Sequence, residues 1–424
     1  MKNYFLLLAL CLFTMSYAQK NIAGDIAAVE KKVIEWRRYF HQNPELSNRE
    51  FNTAQKIEAH LKSLGMEVKT GVAKTGVVGI LKGKRPGKVV ALRADMDALP
   101  VTERTDVPFK STVKTTYLGA ETGVMHACGH DTHVAILMGV AEVLAKNNNF
   151  SGTVKFIFQP AEEGPPPGEE GGAEVMVKEG VLDNPKVDAI FGLHISSGLD
   201  AGKIQYRSGS IMAASQRFII TVKGKQTHGS RPWSGVDPIM VSAKIIDGLQ
   251  TIISRETPLT REGAVISVGK ITSGLRFNII PESAEMIGTV RTLDKDMQQL
   301  ITRRMKEMVP AIARAYNAEA EISIIETAPI TYNDPDLTAQ TLPSLYRAAG
   351  KENVMVMKPT TGAEDFSFFQ QKVPGFYFFL GGKPLEVSAG EAAAHHTPDF
   401  YIEESGLLLG VKTFTQIVFD YLKK

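Results

Sequence analysis

The chain has little cysteine, little tryptophan and almost no imbalance of charge, and each shortage closes off a class of protein. Its 424 residues hold two Cys, Cys11 and Cys128, so a disulfide scaffold is excluded. Lysine and arginine number 48 against 46 aspartate and glutamate, a formal charge of +2. That balance gives no electrostatic footprint for nucleic acid or for an anionic membrane surface. The apolar run from Phe5 to Phe13 is far shorter than the ~20 residues a membrane span needs, and no other stretch comes close. Neither a Gly-x-Ser-x-Gly elbow nor a phosphate-binding glycine loop is present, which takes support from nucleophilic-serine and nucleotide chemistry. What is there is a globular composition, 43% hydrophobic and 22% charged, at a length that suits two domains.

Lys2 precedes the apolar run, and Ser16-Tyr17-Ala18 offers small residues at the two positions a signal peptidase reads. Residues 1–18 are therefore expected to be a cleaved secretory signal, with an exported mature chain, periplasmic or secreted, beginning near Gln19. Cys11 leaves with the signal. Cys128 then stands as the one thiol in an oxidising compartment, where it has no internal bridging partner, and something other than a disulfide must explain it.

Helical periodicity opens the mature chain over residues 25–40 and 53–64, the second run closing at Gly65. Short apolar runs at 77–81 and 89–92 flank Gly83-Lys84-Arg85-Pro86-Gly87 and read as a hairpin. A helix over 131–145 and strands over 154–158 and 187–193 continue the alternation of an α/β layer. From residue 212 the texture changes. Strand 218–222, helix 238–253, strands 264–271 and 284–292, helix 295–316 and strand 320–326 spell β-α-β-β-α-β, the ferredoxin-like order. The expected architecture is a large α/β domain in two chain segments, 19–211 and 329–424, around an inserted α+β domain over 212–328.

The densest polar constellation is His126-Ala127-Cys128-Gly129-His130-Asp131-Thr132-His133, which gathers three of the nine His beside the mature thiol. Thiolate and neutral imidazole are preferred protein donors for zinc and neighbouring transition metals. Gln159-Pro160-Ala161-Glu162-Glu163 follows a buried strand, His194 follows another, and His395-His396-Thr397-Pro398 lies far downstream. Ligands in α/β proteins gather outside the carboxyl ends of the strands, so these groups are candidates for one cleft. Five or more donors suit two ions better than one. The Glu162-Glu163 pair allows one carboxylate to bind metal while its neighbour serves as a base.

Together, Leu92-Arg93-Ala94-Asp95-Met96-Asp97-Ala98-Leu99-Pro100, Met125-His126-Ala127-Cys128-Gly129-His130-Asp131, Phe158-Gln159-Pro160-Ala161-Glu162-Glu163 and His396-Thr397-Pro398 resemble the M20 metallopeptidase clan. The resemblance is to its amidohydrolase branch, which holds hippurate, N-acyl-amino-acid and auxin-conjugate hydrolases. It implies a zinc-peptidase-like α/β catalytic domain with a ferredoxin-like lid or dimerisation domain. It implies Cys128, His130, Glu163, His194 and His396 as ligands of two divalent ions, zinc, manganese, cobalt or nickel, and Glu162 as general base. Arg93-Ala94-Asp95 stands where the rest of the clan carries His-x-Asp, and the Cys is used instead. His395 is a rival to His396 for the last ligand. His228 in the inserted domain is expected to steady the oxyanion, often from a partner subunit, with Asn278 and Arg291 as substrate contacts and Gly362 to Ser367 as pocket wall. The implied activity is hydrolysis of N-acyl or N-aroyl amino acids by a homodimer. The alternatives are a metallocarboxypeptidase acting on dipeptides or short peptides, and a non-catalytic binding module on the same fold.

Overall fold

The computed structural model describes residues 2–388 and 390–423, and for residues 2–21 the backbone alone. The export signal read in residues 1–18 rests on side chains outside the described residues. Among the described residues no helix is long and apolar enough to cross a membrane.

The chain forms two compact units, the first built from Met1–Ser208, Asn333–Met357 and Phe368–Lys424 and the second from Gly209–Tyr332 and Lys358–Ser367. In the first, helix Lys2–Gln42 buries Val29, Val33 and Phe40 against helices His130–Lys146 and Leu407–Tyr421. From His130 through Leu144 every residue of the middle helix is buried, as expected of a helix apolar on nearly all sides. These helices cover an eight-stranded sheet in the order Glu67–Val72, Gly76–Lys82, Ser151–Gln159, Arg85–Asp95, Ala189–Asp200, Gly375–Lys383, Ile204–Tyr206, Val354–Val356. Its four central strands run parallel. Parallel strands are buried on both faces, which accounts for their unbroken apolar runs, Val89 to Leu92, Phe156 to Phe158 and Phe376 to Phe378.

The hairpin expected around Gly83 to Gly87 does not form. Gly76–Lys82 and Arg85–Asp95 both join the sheet, but Ser151–Gln159 lies between them and pairs with each. Two short apolar runs have more to gain from a third buried neighbour than from pairing with each other. The link is held instead by Gly83 N–H donating to the Gly152 carbonyl at 2.9 Å.

The second unit carries a four-stranded antiparallel sheet in the order Ala264–Ser273, Ser283–Thr292, Ala214–Lys223, Glu319–Ala328, with helices Pro238–Thr251 and Lys295–Ala315. In chain order this is β-α-β-β-α-β with spatial order 2-3-1-4, the ferredoxin-like arrangement. Its core is separate, built on Phe218, Ile245, Met286, Ile301 and Met305. One boundary differs from the sequence reading, which gave all of 329–424 to the first domain. Lys358–Ser367 belongs to the second unit, because Ala213 N–H donates to the carbonyls of Thr360 and Gly362 at 3.1 and 2.9 Å.

Candidate metal centre

Strand Arg85–Asp95 ends at the first unit's carboxyl edge, and Met96-Asp97 continues it past the sheet. Across this edge the chain turns from Cys128 into helix His130–Lys146 through Gly129, at φ 94°. A Cβ there would stand 2.3 Å from Ile195 Cγ2, so the turn admits glycine alone. His130 is thereby the first residue of the helix. Its Nδ1 donates to the Asp97 carbonyl at 2.8 Å, which aims Nε2 into the cleft, buried and without a hydrogen-bond partner among the described residues.

Cys128 Sγ lies 3.4 Å from His194 Nε2 and 3.3 Å from His396 Nε2, and His396 Nε2 lies 3.1 Å from Glu163 Oε1. Among the sets of donor atoms that close to within 4.8 Å of one another are Cys128 with His130 and His194, Cys128 with Glu163 and His396, and His130 with Glu162 and Glu163. All five residues implied as ligands are therefore brought together, with Cys128 common to two sets and Glu163 to two. The electrostatics fit a cation. Burial alone would lower the pKa of His130, but Asp95, Asp97 and Glu163 outweigh it and raise it to about 10. Burial, then the carboxylates of Glu163 and Glu162, push the Cys128 thiol well up. An orphaned imidazole nitrogen, a thiol and converging carboxylates form a hard-to-neutralise anionic pocket whose natural complement is a divalent ion.

His194 does not end its strand as the sequence suggested. Ala189–Asp200 runs on, and what stops is its pairing with Arg85–Asp95, which ends at Arg93 and Gly192. Two residues later His194 has space on that side. Its Nδ1 donates to the Ile195 carbonyl at 2.6 Å, while burial and then His133 hold its pKa well below the ordinary value, so Nε2 offers a lone pair. His133, also in the cluster, is fully occupied: Nδ1 donates to Asp95 Oδ1 at 2.5 Å and Nε2 accepts from Ile195 N–H at 2.8 Å. Asp95 is further tied to Arg93 at 2.6 Å. Of the rival pair downstream, His395 is half-buried and accepts from Ser197 N–H through Nε2 at 3.2 Å. His396, at φ 64° and with its N–H on the Ala127 carbonyl at 2.8 Å, turns Nε2 to Cys128 and Glu163.

The carboxylate pair sits on a turn that two buried acids hold from below. Ala161, at φ 52°, donates its N–H to Glu50 Oε1 at 2.9 Å, and the N–H groups of Glu162 and Glu163 reach Asp97 at 3.1 and 3.0 Å. Glu50 also accepts from the Thr75 hydroxyl at 2.6 Å, and burial followed by Asp97 raises its pKa to about 7. Nothing in the sequence near Glu50 signals this role, since its partners lie 25 and 111 residues away. Glu50→Ala would leave two buried donors unpaired at ~1–3 kcal/mol each. We expect a loss of about 3 kcal/mol in stability, read from the urea midpoint, and a fall in turnover as the Glu162-Glu163 turn loosens. Glu50→Gln, which keeps an acceptor, is expected to lose less of both.

His228, Asn278 and Arg291 belong to the second unit. Thr227–His228 pairs with Ile279–Ile280, and Gly229 N–H donates to the Asn278 carbonyl at 2.9 Å. His228 is exposed, and its Nδ1 accepts from Ser230 N–H at 3.1 Å, so Nε2 carries a proton to donate. Arg291, half-buried on Ser283–Thr292, donates from Nε to Thr289 Oγ1 at 3.1 Å.

The profile of peptidase family M20/M25/M40 matches residues 91–420. Thermostable carboxypeptidase 2 of Saccharolobus solfataricus is 42% identical over 408 residues, covering 96% of this chain and 99% of that protein. An N-acetylcysteine deacetylase of Bacillus subtilis is 37% identical over 394 residues, covering 92% and 97%. A solved dinuclear metal-binding peptidase of the M20 family from Bacillus subtilis superposes with a TM-score of 0.77 at 35% identity, covering 94% of this chain and 99% of the other. With its cysteine, histidine and glutamate donors converging at the carboxyl edge of a parallel sheet, the chain belongs to the peptidase M20 family, as a hydrolase of amide or peptide bonds.

Proposed function

We propose that this hydrolase cleaves the amide bond of N-acyl or N-aroyl amino acids, releasing a carboxylic acid and a free amino acid. The observation that carries the reading is the unequal placement of the two adjacent glutamates. Glu163 shares donor sets with both Cys128 and His396 and with His130, whereas Glu162, its Oε2 at 3.9 Å from His130 Nε2, shares no such set with Cys128 or His396 among the described residues. Two divalent ions held by Cys128, His130, Glu163, His194 and His396, whether zinc, manganese, cobalt or nickel, would supply Lewis acidity and lower the pKa of water. Glu162 takes the proton of the attacking water and returns it to the departing amine nitrogen. His228 donates from Nε2 to the developing oxyanion, in this reading from the second copy of a homodimer, and Asn278 and Arg291 meet the amino-acid carboxylate.

A deacetylase of N-acetylcysteine among the relatives supports an acyl amino acid as substrate, and a carboxypeptidase among them supports the second reading, trimming of short peptides. The two separate on one panel. Benzoyl-, acetyl- and longer acyl-amino acids are expected to be turned over with kcat/KM at least tenfold above unmodified dipeptides. The reverse order would assign the enzyme to peptide trimming.

A further inference from the structure

Beside Glu163, and wholly within the first unit, lies a cavity of about 310 Å³ whose wall is formed by Leu46, Leu99, Pro100, Tyr117, Leu118 and Pro166. We propose that it is the subsite for the acyl group, and that the tip of the hairpin Lys114–Tyr117 and Ala120–Gly123 sets which acyl groups are accepted. The inference rests on the acyl-amino-acid reading above.

Charge decides which half of the substrate belongs here. The amino-acid half carries a carboxylate and needs a cation. The cation at the cavity, Arg49, is bound to Glu169 at 2.5 Å, and Glu169 also takes Lys74 at 2.5 Å. Ser47, the buried hydroxyl of the lining, donates to Asp97 at 2.7 Å. A carboxylate would find no free cation among these lining side chains, whereas an uncharged apolar chain can lie over Leu46, Leu99 and the prolines. The volume corresponds to roughly ten waters at ~30 Å³ each, room for a six-carbon chain or a phenyl ring.

The hairpin gives an independent argument. Tyr117 pairs with Ala120, so Leu118-Gly119 is a two-residue loop, and both residues have positive φ, 50° and 83°. That is the type I′ turn, whose first position favours Asn, Asp or Gly. Leucine is disfavoured in this conformation, and Leu118 is also 73% exposed, so neither backbone preference nor burial accounts for it. Contact with an apolar ligand in the cavity it lines does account for it.

The test is the acyl-chain profile of the full-length, metal-loaded enzyme with N-acyl forms of one amino acid, from acetyl to octanoyl. The native enzyme should gain about fourfold in kcat/KM per methylene up to hexanoyl and then level off. Leu118→Asn restores the residue the turn favours, so the hairpin is retained, and the hexanoyl-to-acetyl ratio should fall about fivefold. Thr116→Trp, at an exposed strand position on the cavity wall, should move the cut-off to chains of two or three carbons. Acyl amino acids turned over with an unchanged profile in both variants would overturn this inference alone. Failure of the native enzyme to hydrolyse any of them would overturn the parent reading and this one with it.

Discussion

Glu162→Gln is expected to lower kcat by about 10³-fold, within the ~10²–10⁴ that a positioned general base contributes, while KM and metal content stay near those of the native enzyme. The amide keeps the size and polarity of the side chain and removes its ability to take a proton. The turn should survive, because it is held by backbone N–H groups on Glu50 and Asp97 and not by the Glu162 carboxylate. Glu163→Gln is the informative contrast. Glu163 Oε1 is buried 3.1 Å from His396 Nε2 and belongs to two donor sets, so its loss should lower metal content along with rate. Near-native turnover in metal-loaded Glu162→Gln would remove the base from the proposal.

Cys128→Ala should do more, abolishing both measurable turnover and tight metal binding. Its sulfur is the atom shared by the His194 set and the His396 set, so one substitution weakens two places at once. The side chain is small and 8% exposed, and truncation to alanine leaves only a minor void, so the fold is expected to persist. Stability gives a second readout that does not need activity. A divalent ion at ~100 times its Kd stabilises a folded protein by about 2.7 kcal/mol, and the native chain should show that gain on addition of metal. Cys128→Ala should show little of it. Equal stabilisation of both proteins by metal would mean that the sulfur is not a ligand.

Much of this centre is legible in the sequence because its donors come in local clusters that follow buried strands. Cys128 and His130 are two residues apart, Glu162 and Glu163 are adjacent and follow Ser151–Gln159, and strand exits are where parallel sheets expose polar groups. The framework beneath is less legible because its partners meet only through topology. Glu50 and Ala161, 111 residues apart, are joined by a hydrogen bond that no local pattern encodes. Asp95 occupies a recognisable strand exit, yet its engagement with His133, which removes that histidine from the ligand set, depends on the helix docking over the strand. The hairpin at 114–123 gave no alternation of apolar and polar residues to read, since Lys114-Thr115-Thr116-Tyr117 is polar on both faces. The separation of 77–81 from 89–92 by an intervening strand is likewise a choice among long-range pairings, for which a glycine-rich link is a poor guide. The ferredoxin-like unit, by contrast, shows along the chain the element order read from the sequence, since each helix and strand carries its own periodicity.

The central claim is that five side chains, Cys128 among them, hold two divalent ions that the hydrolysis requires. Metal analysis of the purified enzyme, before and after exhaustive chelation and with activity followed on the same samples, tests it most directly. The account predicts two equivalents of divalent metal per chain, loss of hydrolysis as they are stripped, and recovery when zinc, manganese, cobalt or nickel is returned. Full activity in the stripped protein would contradict it.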